Sequence, residues 1–502
     1  MITCIECGSA AIQRRGVVNV SGEDRYRYKC NSCGENFYIP VTSYIIPVVE
    51  KEGQTFSVDS TKFVITSAQS NTDINKIFLK ALETYCDFND ATLLIIPIKN
   101  LSEINSAYPS SISKYFIENN IKLHPKLKVL ASLNISPSLE YPLSGLAPLS
   151  KGDSIIIGHN QLQMATLPVQ PNDHPVIMTT TGTLSNRNYT ETKQGYKADF
   201  NHAHAAVVVE LDDDIFHIRH INFDGKGFYD FEKYYTSKIL FPKNPVSAIV
   251  TGDEHVTFSD IDVREATYGE DGIVSLLKPT YLVRHDVLDC FSVSHHHKNN
   301  LLTKFKKWND GTNIIHDELF ETIKFIVDTT PTETTNIIVS SNHNDHLKKW
   351  LNECDIRHEP WNAITYHYLM FKMLSEVADG NEMPNPFELY SAEYFAKNNC
   401  DVDFIGRTKS FKLNDVELAL HGDVGANGSK GNIKQFAGLP TKTIIGHSHS
   451  PGITHGAYQV GTSSTLQLEY NIGPSSWMNT HCILYANGKR QLINIINGRW
   501  RA

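Results

Sequence analysis

Short apolar runs that close on clusters of polar side chains recur through the second half of this chain. Ala248-Ile-Val-Thr-Gly-Asp-Glu-His255 is the first, followed by Val283-Arg-His-Asp-Val-Leu-Asp289 and Ile337-Ile-Val-Ser-Ser-Asn-His-Asn-Asp345. Leu418-Ala-Leu-His-Gly-Asp423 and Thr443-Ile-Ile-Gly-His-Ser-His-Ser-Pro451 complete the series. Runs of this kind predict buried strands. In α/β folds ligands gather where such strands end, and these ends offer Asp, His and Asn together, as one metal site would require.

Earlier in the chain, 62–67 and 92–97 read as parallel strands. Between them, Asp73 to Tyr85 has helical spacing, with Ile74, Ile77, Phe78, Ala81, Leu82 and Tyr85 on one face and Asp73 placed to cap the start. This βαβ pattern predicts a small α/β domain. Further short strands are expected at 154–158, 176–180, 205–211 and 215–221. Pro242-Lys-Asn-Pro245 marks the expected boundary before the catalytic part. The predicted organisation is a zinc ribbon at 1–40, an α/β domain at 41–243 and a catalytic domain at 244–502.

At 502 residues more than one domain is expected, and 41% hydrophobic with 20% charged residues is ordinary for a globular enzyme. No apolar run approaches a bilayer span and the start lacks a signal-peptide pattern, so no membrane association and a cytoplasmic location are expected. The net charge of -9 rules out bulk polycationic binding of nucleic acid. A DNA partner would need a local basic surface or metal ions.

Four of the nine cysteines form two knuckles, Cys4-Ile-Glu-Cys7-Gly and Cys30-Asn-Ser-Cys33-Gly. Facing knuckles give closed tetrahedral coordination of one structural zinc. Arg14, Arg15, Arg25, Arg27 and Lys29, with Tyr26, Tyr28, Phe37 and Tyr38, could lay a strand face on nucleic acid. Glu23, Asp24 and Glu35 dilute that charge, and a protein-docking or purely structural ribbon fits equally.

Two other clusters are open at this level. Thr179-Thr-Thr-Gly-Thr-Leu-Ser185 suits either an oxyanion-binding loop or polar packing, and His202 and His204 could face one ligand.

The five motifs Gly252-Asp-Glu-His255, His285-Asp-Val-Leu-Asp289, Ser341-Asn-His-Asn-Asp345, His421 and Gly446-His-Ser-His449 resemble, in order, those of calcineurin-like metallophosphoesterases. The resemblance covers about 248 to 500. Two departures stand out: His285 and Ser341 occupy positions where glycine is usual, which bears on loop geometry. More narrowly, 175–230, His295-His-His297, His421-Gly-Asp-Val-Gly-Ala-Asn-Gly-Ser429 and Gly473-Pro-Ser-Ser-Trp477 resemble phage-encoded metallophosphoesterases similar to the pre-early DNase of T5-like phages.

The resemblance implies a four-layer α/β/β/α sandwich and two divalent ions, Mn²⁺ foremost, with Fe²⁺ or Zn²⁺ as alternatives. It assigns Asp253, His255 and His449 to one ion, Asn342, His421 and His447 to the other, and Asp286 as the bridge. His343 would be the general acid, with Asp345 beside it in sequence to orient its ring. The implied activity is two-metal hydrolysis of DNA phosphodiesters by an exo- or endonuclease that degrades DNA during infection, in the host cytoplasm. A phosphoprotein phosphatase, a nucleotide phosphodiesterase and a non-catalytic DNA- or host-factor-binding protein are the alternatives.

Carboxylate, imidazole and amide oxygen independently suit Mn²⁺, Fe²⁺ or Zn²⁺. Consecutive histidines cannot all point one way, so of His295, His296 and His297 only one, His296, is expected at the substrate phosphate. Lys430 and Ser429, in a glycine-rich stretch expected to be a flexible loop or a plain turn, are candidates for the same role. Arg284 and Arg264 could meet phosphate or Asp289. A homo-oligomer is compatible with all of this.

Overall fold

The structure, a computed structural model, describes residues 4–20, 23–40, 48–50, 55–57, 60–99, 106–170, 173–468 and 471–501. It is a mixed α/β protein built on several sheets. The N-terminal ribbon has antiparallel strands Ile12–Val20, Glu23–Cys30 and Asn36–Pro40. The side chains of Arg14, Glu23, Asp24 and Tyr26 lie outside the described residues. Tyr28 and Phe37 stack at 5.5 Å in the ribbon's small core, so they are not part of an exposed aromatic face.

The expected βαβ unit is present. Strands Lys62–Gln69 and Ala91–Ile98 pair in parallel across the helix Lys76–Asn89. The helix starts later than the pattern predicts. Asn75, not Asp73, caps it by accepting a 3.0 Å bond from the Phe78 amide, and Ile77 faces solvent, 58% exposed.

The six-stranded sheet that carries the motifs runs Val402–Ile405, Thr335–Val339, Tyr281–Arg284, Val246–Val250, Thr480–Tyr485, Arg490–Asn494. Its first four strands are parallel, so the loops after Val250, Arg284 and Val339 emerge at one edge. Helices Ile315–Asp328, Asn342–Glu353, Ala363–Ala378 and Pro386–Lys397 share a core against one face of this sheet.

The other face shares a larger core with a ten-stranded sheet, through residues such as Val250, Val283 and Val339 against Leu418, Ile444 and Val460. In that ten-stranded sheet Gln163–Leu167 pairs antiparallel with Gly452–Thr454. The sheet therefore continues across the sequence position 244, and the segments before and after it share one hydrophobic core. The Thr179–Ser185 segment is buried packing: Thr180, Thr183 and Ser185 bond the backbone of Gln161, Ser67 and Gln69. Its hydroxyls join two sheets, so of the two alternatives the segment takes polar packing.

Candidate metal centre

Each candidate ligand sits in a loop that its strand aims at a common point. After Val246–Val250 the chain turns at Gly252, whose amide is held by His481 Nδ1 at 2.9 Å. A Cβ at Gly252 would lie 2.8 Å from the Thr462 backbone, so only glycine lets these segments approach. The Asp253 carbonyl accepts from the Ser463 amide at 2.8 Å and from the Thr462 hydroxyl at 2.9 Å. The His255 amide bonds the Asp286 carbonyl at 2.8 Å, tying the first loop to the second. Four candidate ligands, His255, Asp286, His447 and His449, have φ between 41° and 74°. Left-handed backbone at such residues costs about 1–3 kcal/mol each and persists where the surroundings hold it, typically at functional sites.

The side chains converge. Ligand atoms of Asp253, His255, Asp286 and His449 lie within 4.8 Å of one another, as do those of Asp253, His285 and His421. His449 Nε2 is 3.1 Å from Asp253 Oδ2 and 2.9 Å from His255 Nε2. Asp286 Oδ2 is 3.1 Å from His421 Nε2 and 4.0 Å from His255 Nε2, between the two groups. Asp253, His255, Asp286, His421 and His449 are all buried.

Asn342 opens the helix Asn342–Glu353, and Ser341 caps it by accepting from the Asn344 amide at 3.2 Å. The His447 ring lies 5.3 Å, centroid to centroid, from His421 at the rim, while its amide donates to Asp253 Oδ2 at 2.8 Å.

The donor set fits divalent cations. Asp253 Oδ1, Asp286 Oδ1 and Asn342 Oδ1 are buried without a hydrogen-bond partner, and leaving such atoms unpaired costs about 1–3 kcal/mol each, more when charged. Gly446 forms part of the cradle: a Cβ there would fall 2.3 Å from Asp253 Oδ1. Burial pushes both carboxyl pKa values up, but neighbouring imidazoles outweigh it. His421 and His449 hold Asp253 below its usual range; His421 and His343 hold Asp286 well below. Both are carboxylates at neutral pH, ready to meet a cation.

The second layer contains residues that sequence reasoning left unassigned. His255 Nδ1 is 2.6 Å from Asp289 Oδ1, which fixes the ring so that Nε2 faces the centre. His285, expected to bear on loop geometry more than on metal chemistry, brings its Nδ1 within 3.3 Å of His421 Nδ1 and is fully buried. Its position directly before Asp286 was the available signal.

Arg284 meets neither phosphate nor Asp289. It is fully buried and bonds Glu254 at 2.9 and 3.1 Å, Asn336 at 2.8 Å and the Thr329 hydroxyl at 2.9 Å. Arg264 lies over the Phe325 ring at 4.9 Å.

His343 is 21% exposed, its ring 4.9 Å from that of His255. Its Nδ1 is 3.3 Å from the Asp289 carbonyl and 3.8 Å from Asp289 Oδ1. Asp345 does not orient this ring: it points outward and pairs with Arg407 at 2.8 Å. Arg407 also holds Asp423 at 2.6 Å, anchoring the glycine-rich loop. That loop closes on itself through Gly425–Ser429 and Gly431–Asp423 backbone bonds, with Lys430 exposed. Ser429 donates within the loop, to the Ala426 carbonyl at 2.8 Å. His202 bonds Tyr189 at 2.8 Å, and its ring lies 4.9 Å from that of His204. Neither belongs to a group of potential ligands among the described residues.

In the ribbon, Cys4, Cys7, Cys30 and Cys33 lie within mutual reach of one ion. Their sulfurs pair at 3.6 Å, far beyond the roughly 2.05 Å of a disulfide. Gly8 and Gly34, at φ 68° and 81°, permit the two knuckles. The group can hold a structural zinc.

The chain is 33% identical over 462 residues to protein A1 of Escherichia phage T5, an alignment covering 88% of this chain and 83% of that protein. It belongs to the protein A1 family. No model of a known protein family matches it. The alignment's extent means that this A1-family chain shares with its phage relative far more than the segment bearing the metal motifs. No helix among the described residues is long and apolar enough to cross a membrane.

Proposed function

We propose that this protein is a binuclear metallophosphoesterase of the calcineurin-like type that hydrolyses DNA phosphodiester bonds. In this reading the two facing sheets with their outer helices form the α/β/β/α sandwich, the segment before 244 supplies strands to the larger of these sheets, and the cysteine ribbon and the βαβ unit at 62–98 are additions. The observation that carries the reading is the position of Asp286 Oδ2 between His255 and His421, with Asp253 beside both groups. One carboxylate so placed can serve two adjacent ions.

Asp253, His255, His449 and Asp286 would hold one ion, and Asp286, His421, Asn342 and His447 the other, with His285 packed against His421. Two such ions, when bound, supply Lewis-acid activation of water and of the phosphoryl oxygens. Asp289 accepts from His255 Nδ1 and so leaves Nε2 as a donor to metal. His343, held at Nδ1 by Asp289, carries the transferable proton on Nε2 and gives it to the departing oxygen.

DNA is favoured over a small phosphoester by the cleft that begins at His295. It is lined by Lys298, Lys304, Lys349, Trp308 and Trp361, cations and stacking surfaces suited to a nucleic-acid strand, interspersed with Glu353, Asp355 and Glu359. Incubation with linear DNA, circular DNA, a cyclic nucleotide and a phosphopeptide, each with Mn²⁺, tests the reading. Hydrolysis of DNA is expected; reaction with the small substrates alone would overturn the nuclease assignment.

A further inference from the structure

Three imidazoles outside the candidate centre converge a short distance from His343. His295 and His296 lie in the short helical turn His295–His297, and His346 is one turn into the helix Asn342–Glu353. Ring centroids are 3.9 Å apart for His295 and His296, 4.7 Å for His295 and His346, and 5.7 Å for His296 and His346. One ring nitrogen from each lies within 4.8 Å of the others. His297 departs from the group and packs on Phe291.

We propose that His295, His296 and His346 form a further metal site that takes a zinc-class divalent ion. Imidazole nitrogen suits Zn²⁺, Ni²⁺ or Co²⁺, and three protein ligands leave a fourth position open. Nδ1 of His295 and Nδ1 of His346 are buried without a hydrogen-bond partner, polar atoms that an ion or its bound water would satisfy. The turn is held before any ligand arrives. Half-buried Glu318 clamps the Phe291 and Ser292 amides at 2.8 Å each, and the His297 amide bonds the Ser294 carbonyl at 3.0 Å. His296 is exposed, giving an ion a path from solvent. The His346 ring is 5.0 Å from that of His343, so the ion would sit beside the candidate acid, outside the binuclear set. This inference does not depend on the phosphodiesterase reading.

The test counts bound Zn²⁺ by plasma mass spectrometry and titration calorimetry in two full-length proteins. One carries Asp286→Asn, which disables the buried centre; the other adds His295→Ala and His346→Ala. The second is expected to hold one Zn²⁺ fewer per chain, with the ribbon zinc retained in both. Equal counts would overturn the proposal. Circular dichroism reports whether the triple variant folds. If it does not, His296→Ala in the Asp286→Asn background decides, because that side chain is exposed. About tenfold or greater weakening of one Zn²⁺ affinity supports the site, and unchanged affinity overturns it.

Discussion

Nδ1 of His255 lies 2.6 Å from Oδ1 of Asp289, and this contact determines which ring nitrogen faces the candidate centre. Desolvation works against a charged His255, but Asp289, with Asp286 and Asp253 behind it, raises its pKa to about 9. Asp289 thereby acts on the centre without touching the ions. Asp289→Asn keeps the shape and removes the charge. Loss of such an orienting partner typically costs about 10–100-fold in metal affinity, so Mn²⁺ titration of this variant is expected to show that weakening with the fold intact. Wild-type affinity would remove Asp289 from the design.

Gly446 tests the cradle from the other side. A Cβ there lands 2.3 Å from Asp253 Oδ1 and 3.2 Å from the His285 ring. Gly446→Ala is expected to displace the carboxylate and depress Mn²⁺ loading. Gly406→Ala, where a Cβ meets nothing within 4 Å, is the matched control and should load normally.

Much of the centre was legible in the sequence because its chemistry constrains residue type at strand ends. The expected ligands Asp253, His255, Asp286 and His449 converge, and His421 joins them through Asp286. What escaped notice depended on distance in sequence or on partner choice. Asp345 sits two residues from His343, yet helix geometry turns it toward Arg407, whereas Asp289 arrives from the loop after Tyr281–Arg284 to hold the ring. Arg284 lies among the motif residues but points to the far side of its strand, into Glu254 and Asn336. The pairing of Gln163–Leu167 with Gly452–Thr454 leaves no local trace, because periodicity specifies a strand and not its neighbour.

The Arg284–Glu254 pair makes a stability prediction. Both side chains are essentially inaccessible to solvent, and Tyr268 also bonds Glu254. Removing one member of a buried ion pair typically costs about 3–5 kcal/mol because the other charge stays buried. Arg284→Ala should therefore lower the urea midpoint strongly, and adding Glu254→Gln should recover part of the loss. A variant as stable as the parent would mean that Glu254 finds other solvation.

Metal-free protein should respond to alkaline pH in a defined direction. Burial opposes charge on His255 and His421, but their carboxylate neighbours raise both pKa values, His255 to about 9. A raised folded-state pKa stabilises fully below the unfolded value, about 6.5, and that stabilisation disappears as pH rises through the folded value. The Tm of chelated protein is expected to fall between pH 6.5 and 9. With saturating Mn²⁺ the ion replaces the proton on the ligand nitrogens, and the fall should be absent. Parallel melting curves in EDTA and in Mn²⁺ across this range would show the difference, and identical pH profiles would argue against ions at these residues.

His343 separates metal loading from proton transfer. Its ring is part exposed, is held at Nδ1 by Asp289 and is adjacent to His255, placing it beside the buried ligand set. His343→Ala should leave metal content near the wild-type value. An alkoxide leaving group needs a proton in the transition state, whereas a nitrophenolate departs without one. The variant should therefore lose about 10²–10⁴-fold on alkyl phosphodiesters, the usual contribution of a positioned acid, and far less on nitrophenyl esters. Equal slowing of both classes would assign His343 to substrate binding and leave the leaving oxygen to be protonated by solvent.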